Sequence, residues 1–431
     1  MAATRPGRIP GRHRRPVERQ ATYGEVIAIR EFRALWIGQA LSLLGDQLSR
    51  VALSVLVFER TESPLATASV YALTYLPPII GGPLLASLAD RYARRHIMII
   101  CDLLRAGLVA LMAVPTTSFA VLCSLVFCVV LLSAPFSAAR AALLPELLEG
   151  DRYVAGSALQ NMTNQGAQML GFALGGALIM AMGPYRALAL DASTFLASAL
   201  ILVSGVRRRP APIEADADRP SMWTMTRAGS RLVFGDPRLR TLVLFAWLCG
   251  FYVLPEGIAT PYAATLTDDP RQISLVSGLL MGAMPTGTVI GAFLFSRYVN
   301  PSARLRAMGW MAMLTCAPLI LCVMEPPLAV VLALWFVSGV GGAYQLAANA
   351  AFVQCVPPER RGLAFGLVQS GLLASQGVGI LLGGVVAAEL GPAPVVALAG
   401  AAGLLVAAAL AMLWSGSRKE IIEKVRAEAT V

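Results

Sequence analysis

GPLLASLADRYARRH, residues 82–96, decides the fold. An apolar run enters it and stops at Asp90. Arg91, Arg94, Arg95 and His96 follow, and a second apolar run begins at once. So polar a stretch between two apolar runs of membrane-spanning length is a tight loop at a membrane surface. Short loops rich in Lys and Arg stay on the cytoplasmic side, so this loop orients every other segment.

Composition agrees with that reading. The chain has 431 residues, of which 57% are hydrophobic and 14% charged, and its mean hydropathy is +0.67. A soluble domain carries roughly 25% charged residues. The net charge of +10 sits mainly in loops and tails. Orientation and contact with anionic lipid account for it better than nucleic acid, so no nucleic-acid partner is expected. The seven cysteines form no CxxC pair and read as small buried hydrophobes, and two histidines are too few for a His-based metal site. There is no G-x(4)-G-K-[ST] loop, no H-E-x-x-H and no G-x-S-x-G. The chain therefore reads as neither an ATP-driven pump nor an enzyme, with no cofactor and no metal.

A span needs about 20 apolar residues. On that basis spans fall near 34–58, 66–89, 96–114, 119–139, 153–182 and 187–205. After a polar insert come 241–263, 272–296, 305–323, 328–353, 362–388 and 393–414. The expected fold is an all-α integral membrane protein with twelve transmembrane helices in two six-helix bundles. Residues 1–32 read as a disordered basic tail, 33–205 as the first bundle, 206–240 as a cytoplasmic linker, 241–414 as the second bundle, and 415–431 as a second tail. Loops on one side hold Arg91, Arg94, Arg95, Arg140, Arg152, Arg297, Arg304, Arg306, Arg360 and Arg361, and the insert adds eight more arginines. Loops on the other side hold only Arg60, Arg186 and Arg271. Both termini are thus expected in the cytoplasm, with the protein in the cell membrane.

The two halves repeat. Sliding the chain by 208 residues lays Asp151-Arg152 on Glu359-Arg360, Gln168 on Gln376, and Gly183-Pro184 on Gly391-Pro392. Gly171, Gly175 and Gly176 fall on Gly379, Gly383 and Gly384. Parallel repeats of six spans mark an architecture in which two bundles rock about a midplane site.

At this point the chain resembles the major facilitator superfamily. The loop after the second span is similar to that family's G-x-L-a-D-r-x-G-r-[rk] signature, through Ala86, Leu88, Ala89, Asp90, Arg91, Ala93, Arg94 and Arg95, with alanine at both glycine positions. The first span, residues 191–200 and residues 253–263 resemble a branch that holds macrolide-efflux and siderophore-exporter proteins. The fifth span resembles the antiporter signature G-x-x-x-G-P-x-x-G-G, with Ala167 and Phe172 in place of its first glycine and its proline. The family's fourth-span arginine motif is missing. The resemblance implies alternating access, a monomer, and a gating loop at Asp90, Arg91, Arg94 and Arg95. In it Asp90 would latch onto the start of the eleventh span. The plainer reading is that the loop only sets topology.

Several side chains are candidates for function. A charge at a span centre costs about 2.5–3.5 kcal/mol on insertion scales, so it has a partner or a task. Asp46 and Arg50 share a face of the first span by their i, i+4 spacing. They form either a structural ion pair or a cavity-lining pair. Glu256 lies between Pro255 and Gly257, with Pro261 one turn on, which predicts a broken helix. Burial disfavours a charged carboxylate relative to a neutral one. Asp46 and Glu256 are therefore the proton-coupling candidates, unless Glu256 stays hydrated near the surface. Asp102 with Arg105, and Asp191 with Arg186, read as structural pairs. Gln39, Tyr71, Tyr75, Trp247, Tyr252, Tyr344, Gln345 and Asn349 are candidate cavity walls, or else plain packing. The small-xxx-small glycines at 171, 175, 176, 379, 383 and 384 suit close helix contacts, static or moving. The expected function is proton-coupled export of a small, largely apolar or cationic molecule. Uptake of a small solute is one alternative, and a non-transporting membrane sensor or assembly partner another.

Overall fold

The computed structural model describes residues 21–85, 88–210, 222–357 and 360–429, with the side chains at 82–84, 89, 90, 222–226 and 417–429 left outside the description. Residues 1–20 of the basic tail, Ala86 of the loop signature, Glu359 and the side chain of Asp90 therefore lie outside the described residues, and so does the latch expected of Asp90.

The described residues are helical, without a strand. The N-terminal half runs α1 (Tyr23–Ala28), α2 (Arg30–Thr61), α3 (Pro64–Ala72), α4 (Pro77–Leu85), α5 (Leu88–Arg91), α6 (Arg94–Met112), α7 (Phe119–Leu147), α8 (Asp151–Met182) and α9 (Pro184–Gly205). A connecting helix α10 (Met222–Gly235) follows. The C-terminal half runs α11 (Pro237–Trp247), α12 (Cys249–Tyr252), α13 (Leu254–Gly257), α14 (Ala259–Leu266), α15 (Pro270–Tyr298), α16 (Pro301–Ile320), α17 (Leu328–Gly341), α18 (Tyr344–Cys355), α19 (Arg361–Leu390) and α20 (Pro392–Ala429).

Ten segments of the described chain are long and apolar enough to cross a membrane. Two of the twelve expected spans are not among them, for different reasons. Residues 66–89 break at the turn 73–76, where Pro77 and Pro78 cannot continue a helix from the preceding residues. Helix α6 is 19 residues long and carries Arg94, Arg95, Asp102 and Arg105. The helix break expected near Glu256 is present: residues 237–266 form four pieces, interrupted at Leu248, Val253 and Ile258.

Polar contacts define the two ends of the N-terminal half. At the start of α2, Glu31 accepts from Arg209 at 2.7 Å. There Arg94 donates to Ala142 O at 2.9 Å and pairs with Glu146. At the end of α2, Arg60 donates to Thr117 O and Pro115 O, both at 2.6 Å, and to the Tyr185 hydroxyl at 2.7 Å. These are a Glu31 end and an Arg60 end.

The sequence repeat is a repeat in space. Helices α8 and α19 both stop on a glycine in the left-handed region, Gly183 at φ +83° and Gly391 at φ +82°, each followed by proline. Only glycine adopts that conformation without strain. In each trio of glycines the first two face the helix's own half. A Cβ on Gly171 would meet Gln47 at 2.7 Å, and one on Gly379 would meet Gly250 O at 2.2 Å. The third member crosses between halves. A Cβ on Gly176 would lie 2.7 Å from Ser274 O, and one on Gly384 would lie 2.4 Å from the Ala68 Cβ. So α8 lies on α15 and α19 on α3, and both crossings sit toward the Arg60 end.

Gly176→Leu is accordingly expected to hold α8 and α15 apart. A Ser274→Cys thiol, buried in the parent (Ser274 is 3% exposed), should then label several-fold faster with a water-soluble maleimide. An unchanged labelling rate would show that the crossing tolerates bulk.

Candidate functional site

Three helices of the N-terminal half bury charge against one another. α2 supplies Asp46, Ser49 and Arg50; α6 supplies Asp102 and Arg105; α9 supplies Asp191, Thr194 and Ser198. The spacings of three, four and seven residues keep each set on one helix face. The Arg105 guanidinium donates to Asp46 at 2.7 Å, stands 4.0 Å from Asp102, and lies 4.1 Å over the Phe195 ring. Asp102 also accepts from Ser198 at 2.6 Å. Asp191, 1% exposed, accepts from Ser49 and, at 3.1 Å, from Thr194. Its carboxylate lies against Gly45, where a Cβ would stand 2.0 Å from Asp191 Oδ1. Glycine there is what lets α2 and α9 close over the acid.

These contacts revise three local pairings. Asp102 and Arg105 are not an exclusive pair, because Arg105 makes its short contact with Asp46 on another helix. Asp46 and Arg50 share a face, yet no carboxylate lies within 4.0 Å of Arg50 among the described residues; its guanidinium sits 5.7 Å over the Tyr75 ring instead. Asp191 points inward to Ser49, not to Arg186.

Glu256 occupies the four-residue helix α13 and is 4% exposed. The Tyr71 hydroxyl, from α3 in the other half, donates to its Oε2 at 2.9 Å. Burial removes the reading of Glu256 as a hydrated surface acid. This contact ties the two halves together toward the Arg60 end.

Two cavities flank the network. One of about 230 Å³ is lined by Asp46, Ser49, Arg50, Tyr75, Arg105 and Asp191, with Val109, Met112 and Val126 among its apolar walls. The other, about 460 Å³, lies between α11, α15, α18 and α19, with Gln165 reaching it from α8. It approaches the ends where α19 begins and α18 finishes. Gln345, Asn349 and Gln369 line it, with Phe352 and Phe365 in an edge-to-face pair 5.3 Å apart.

The candidate wall residues thus divide. Gln345 and Asn349 line the larger cavity, Arg50 and Tyr75 the smaller. Tyr71 stands behind Tyr75 on Glu256. Gln39, Trp247, Tyr252 and Tyr344 line neither, and each makes a polar contact elsewhere, although the Gln39 Oε1 has no partner. Gln39 reaches Asn164 at 3.4 Å, Trp247 donates to Val368 O at 3.1 Å, and Tyr344 donates to Phe245 O at 2.8 Å beside the Tyr252 hydroxyl. Arg91, Arg94 and Arg95 lie near the start of α6 and line neither cavity, with Arg95 donating to Val203 O at 2.6 Å. Sequence reasoning did not single out Gln165 as a wall or Arg105 and Asp191 as neighbours of Asp46. The polar residues at one helical face of α9 were the available signal.

The family model described as Major Facilitator Superfamily matches residues 35–300 and 253–429. The chain belongs to that superfamily. Its family and fold are those of multi-pass membrane transporters. Among curated proteins, the multidrug efflux pump Tap of Mycolicibacterium fortuitum is 26% identical over 364 residues, which cover 79% of this chain and 85% of Tap. Macrolide efflux protein A of Streptococcus pyogenes is 34% identical over 77 residues, 18% of this chain and 19% of that protein. The crystal structure of the nucleoside transporter NupG shares the superfamily fold at a TM-score of 0.68 and 14% identity, covering 89% of this chain and 98% of NupG.

Proposed function

We propose that this superfamily member exports a small, largely apolar or cationic molecule in exchange for protons, by alternating access. The observation that carries the reading is the Tyr71–Glu256 hydrogen bond across the two halves, 2.9 Å long and buried near Arg50, which Asp46 also neighbours. Four carboxyls (Asp46, Asp102, Asp191, Glu256) stand with two guanidiniums (Arg50, Arg105), so two protons bring the group to neutrality. Such a group changes its net charge with proton load where charge is expensive. We read the chain as twelve spans in two six-helix bundles, monomeric, with both termini in the cytoplasm. The halves touch toward the Arg60 end, and the larger cavity lies toward the opposite end. On this topology that is the arrangement of a carrier open to the cytoplasm. Relatives named for multidrug and macrolide efflux support the outward direction.

In the cycle, substrate enters the larger cavity from inside. The inner end closes, the Tyr71–Glu256 contact parts, and an external proton occupies Glu256 as substrate leaves. Release of that proton inside resets the carboxylate. One charge moving down 100 mV supplies about 2.3 kcal/mol, which sustains roughly a 50-fold substrate gradient.

Uptake of a polar solute is the second reading, favoured by the shared fold with a nucleoside transporter and by the amides of the larger cavity. Liposomes with an imposed pH gradient and an internal pH dye separate the two. Export by exchange predicts proton flow opposite to compound flow; symport predicts both in one direction. Compound movement that ignores the pH gradient altogether would remove proton coupling.

A further inference from the structure

The buried charges and the larger cavity do not coincide. None of the described residues lining the 460 Å³ cavity is charged. Asp46, Arg50, Arg105 and Asp191 face the separate 230 Å³ cavity, and Glu256 is covered by Tyr71. What the larger cavity offers is primary amides: Gln165 from α8, Gln345 and Asn349 one turn apart on α18, and Gln369 on α19. Gln165, Asn349 and Gln369 are exposed to it. Each of these three amides is donor and acceptor together, whereas Gln345 already donates to the Tyr252 hydroxyl. The remaining wall is apolar, including the Phe352–Phe365 pair, whose rings meet edge to face at 83°.

We propose that this cavity selects an uncharged amphiphile, an apolar frame bearing both hydroxyl and carbonyl groups, and rejects lipophilic cations. The proposal rests on the transport reading above and narrows it, because the sequence alone left cationic substrates open. A cation taken from water into a cavity without a carboxylate loses its hydration and gains no counter-charge. Hydroxyls and carbonyls instead find matched partners on amide groups from three helices. The volume lies within the roughly 300–1,000 Å³ of sites for drug-sized ligands. Gln165 comes from the N-terminal half and the other amides from the C-terminal half, so one bound molecule touches both halves and senses their relative movement.

The test compares two probes on full-length protein in nanodiscs by calorimetry: an uncharged polyhydroxylated macrolactone, and tetraphenylphosphonium. The macrolactone should bind saturably, and tetraphenylphosphonium should not displace it. Asn349→Leu with Gln369→Leu should weaken macrolactone binding by roughly 10- to 30-fold, the loss of about two hydrogen bonds. Gln369→Glu, which keeps the side-chain shape, should confer tetraphenylphosphonium binding. No binding of the macrolactone, competition by the cation at equal or better affinity, or indifference of both variants overturns the proposal. Binding as expected without movement across a liposome membrane overturns the transport reading and leaves the ligand class standing. Movement of the cation but not of the macrolactone does the reverse.

Discussion

In proteoliposomes carrying Glu256→Gln, compound-driven proton flux is expected to fall to the level of empty vesicles, while downhill compound movement continues. Glutamine keeps the length and shape of the side chain, and its carbonyl still accepts from Tyr71, which stands 2.9 Å from Glu256 Oε2. What it lacks is a site for a proton. The variant therefore isolates proton carriage from the structural tie between α3 and α13. Compound movement should also lose its dependence on pH. Tyr71→Phe is the complementary change: it removes the donor and keeps the carboxyl, so coupling should survive with an altered rate. Full proton exchange in the glutamine variant across the pH range would take the coupling role away from Glu256, and Asp46 would be the next acid to test.

The second large effect is on stability. Arg105→Leu is expected to destabilise the protein by about 3 kcal/mol, the lower end of what breaking a buried ion pair costs. The Arg105 side chain is 5% exposed, with Asp46 at 2.7 Å, Asp102 at 4.0 Å and the Phe195 ring beneath it. Removing it strands two carboxyls. The lower end applies because Asp46 is 29% exposed at its side chain and keeps some water. Adding Asp46→Asn should restore part of the loss, since the two sites are coupled. Arg105→Lys should not restore it fully, because an ammonium cannot both fork to the acids and lie flat on a ring. Thermal unfolding in detergent measures all three. A leucine variant as stable as the parent would mean that the acids are neutral without Arg105.

The membrane class, the arginine-rich loop and the 208-residue repeat were legible in the sequence because they are statements about order along the chain. Gly183-Pro184 and Gly391-Pro392 carried the repeat through to matched helix ends. The break around Glu256 was legible too, from Pro255, Gly257 and Pro261. What the sequence withheld were partners. Arg105 lies one turn from Asp102, and local spacing proposed that pair; the nearer acid is 59 residues away on another helix. Tyr71 and Glu256 are 185 residues apart, and nothing in either neighbourhood names the other. Trp247, Tyr252 and Tyr344 looked like a binding wall because aromatic residues suit one. Their polar atoms in fact serve the contacts among α11, α12, α18 and α19. The second span failed as a continuous rod because Pro77 and Pro78 outweigh the hydropathy of the residues around them.

The four-piece course of residues 237–266 has a mechanical meaning. A continuous helix behaves as a stiff beam, and turning one residue on it drags its whole length. Glu256 instead rides on a single turn, with a joint at Val253 before it and another at Ile258 after it. The expected consequence is that this turn pivots while α11 and α14 stay seated. The acid is mounted like a toggle on a short lever, and throwing it bends the two joints, parts the Tyr71 contact and slides Leu254 and Gly257 along α19.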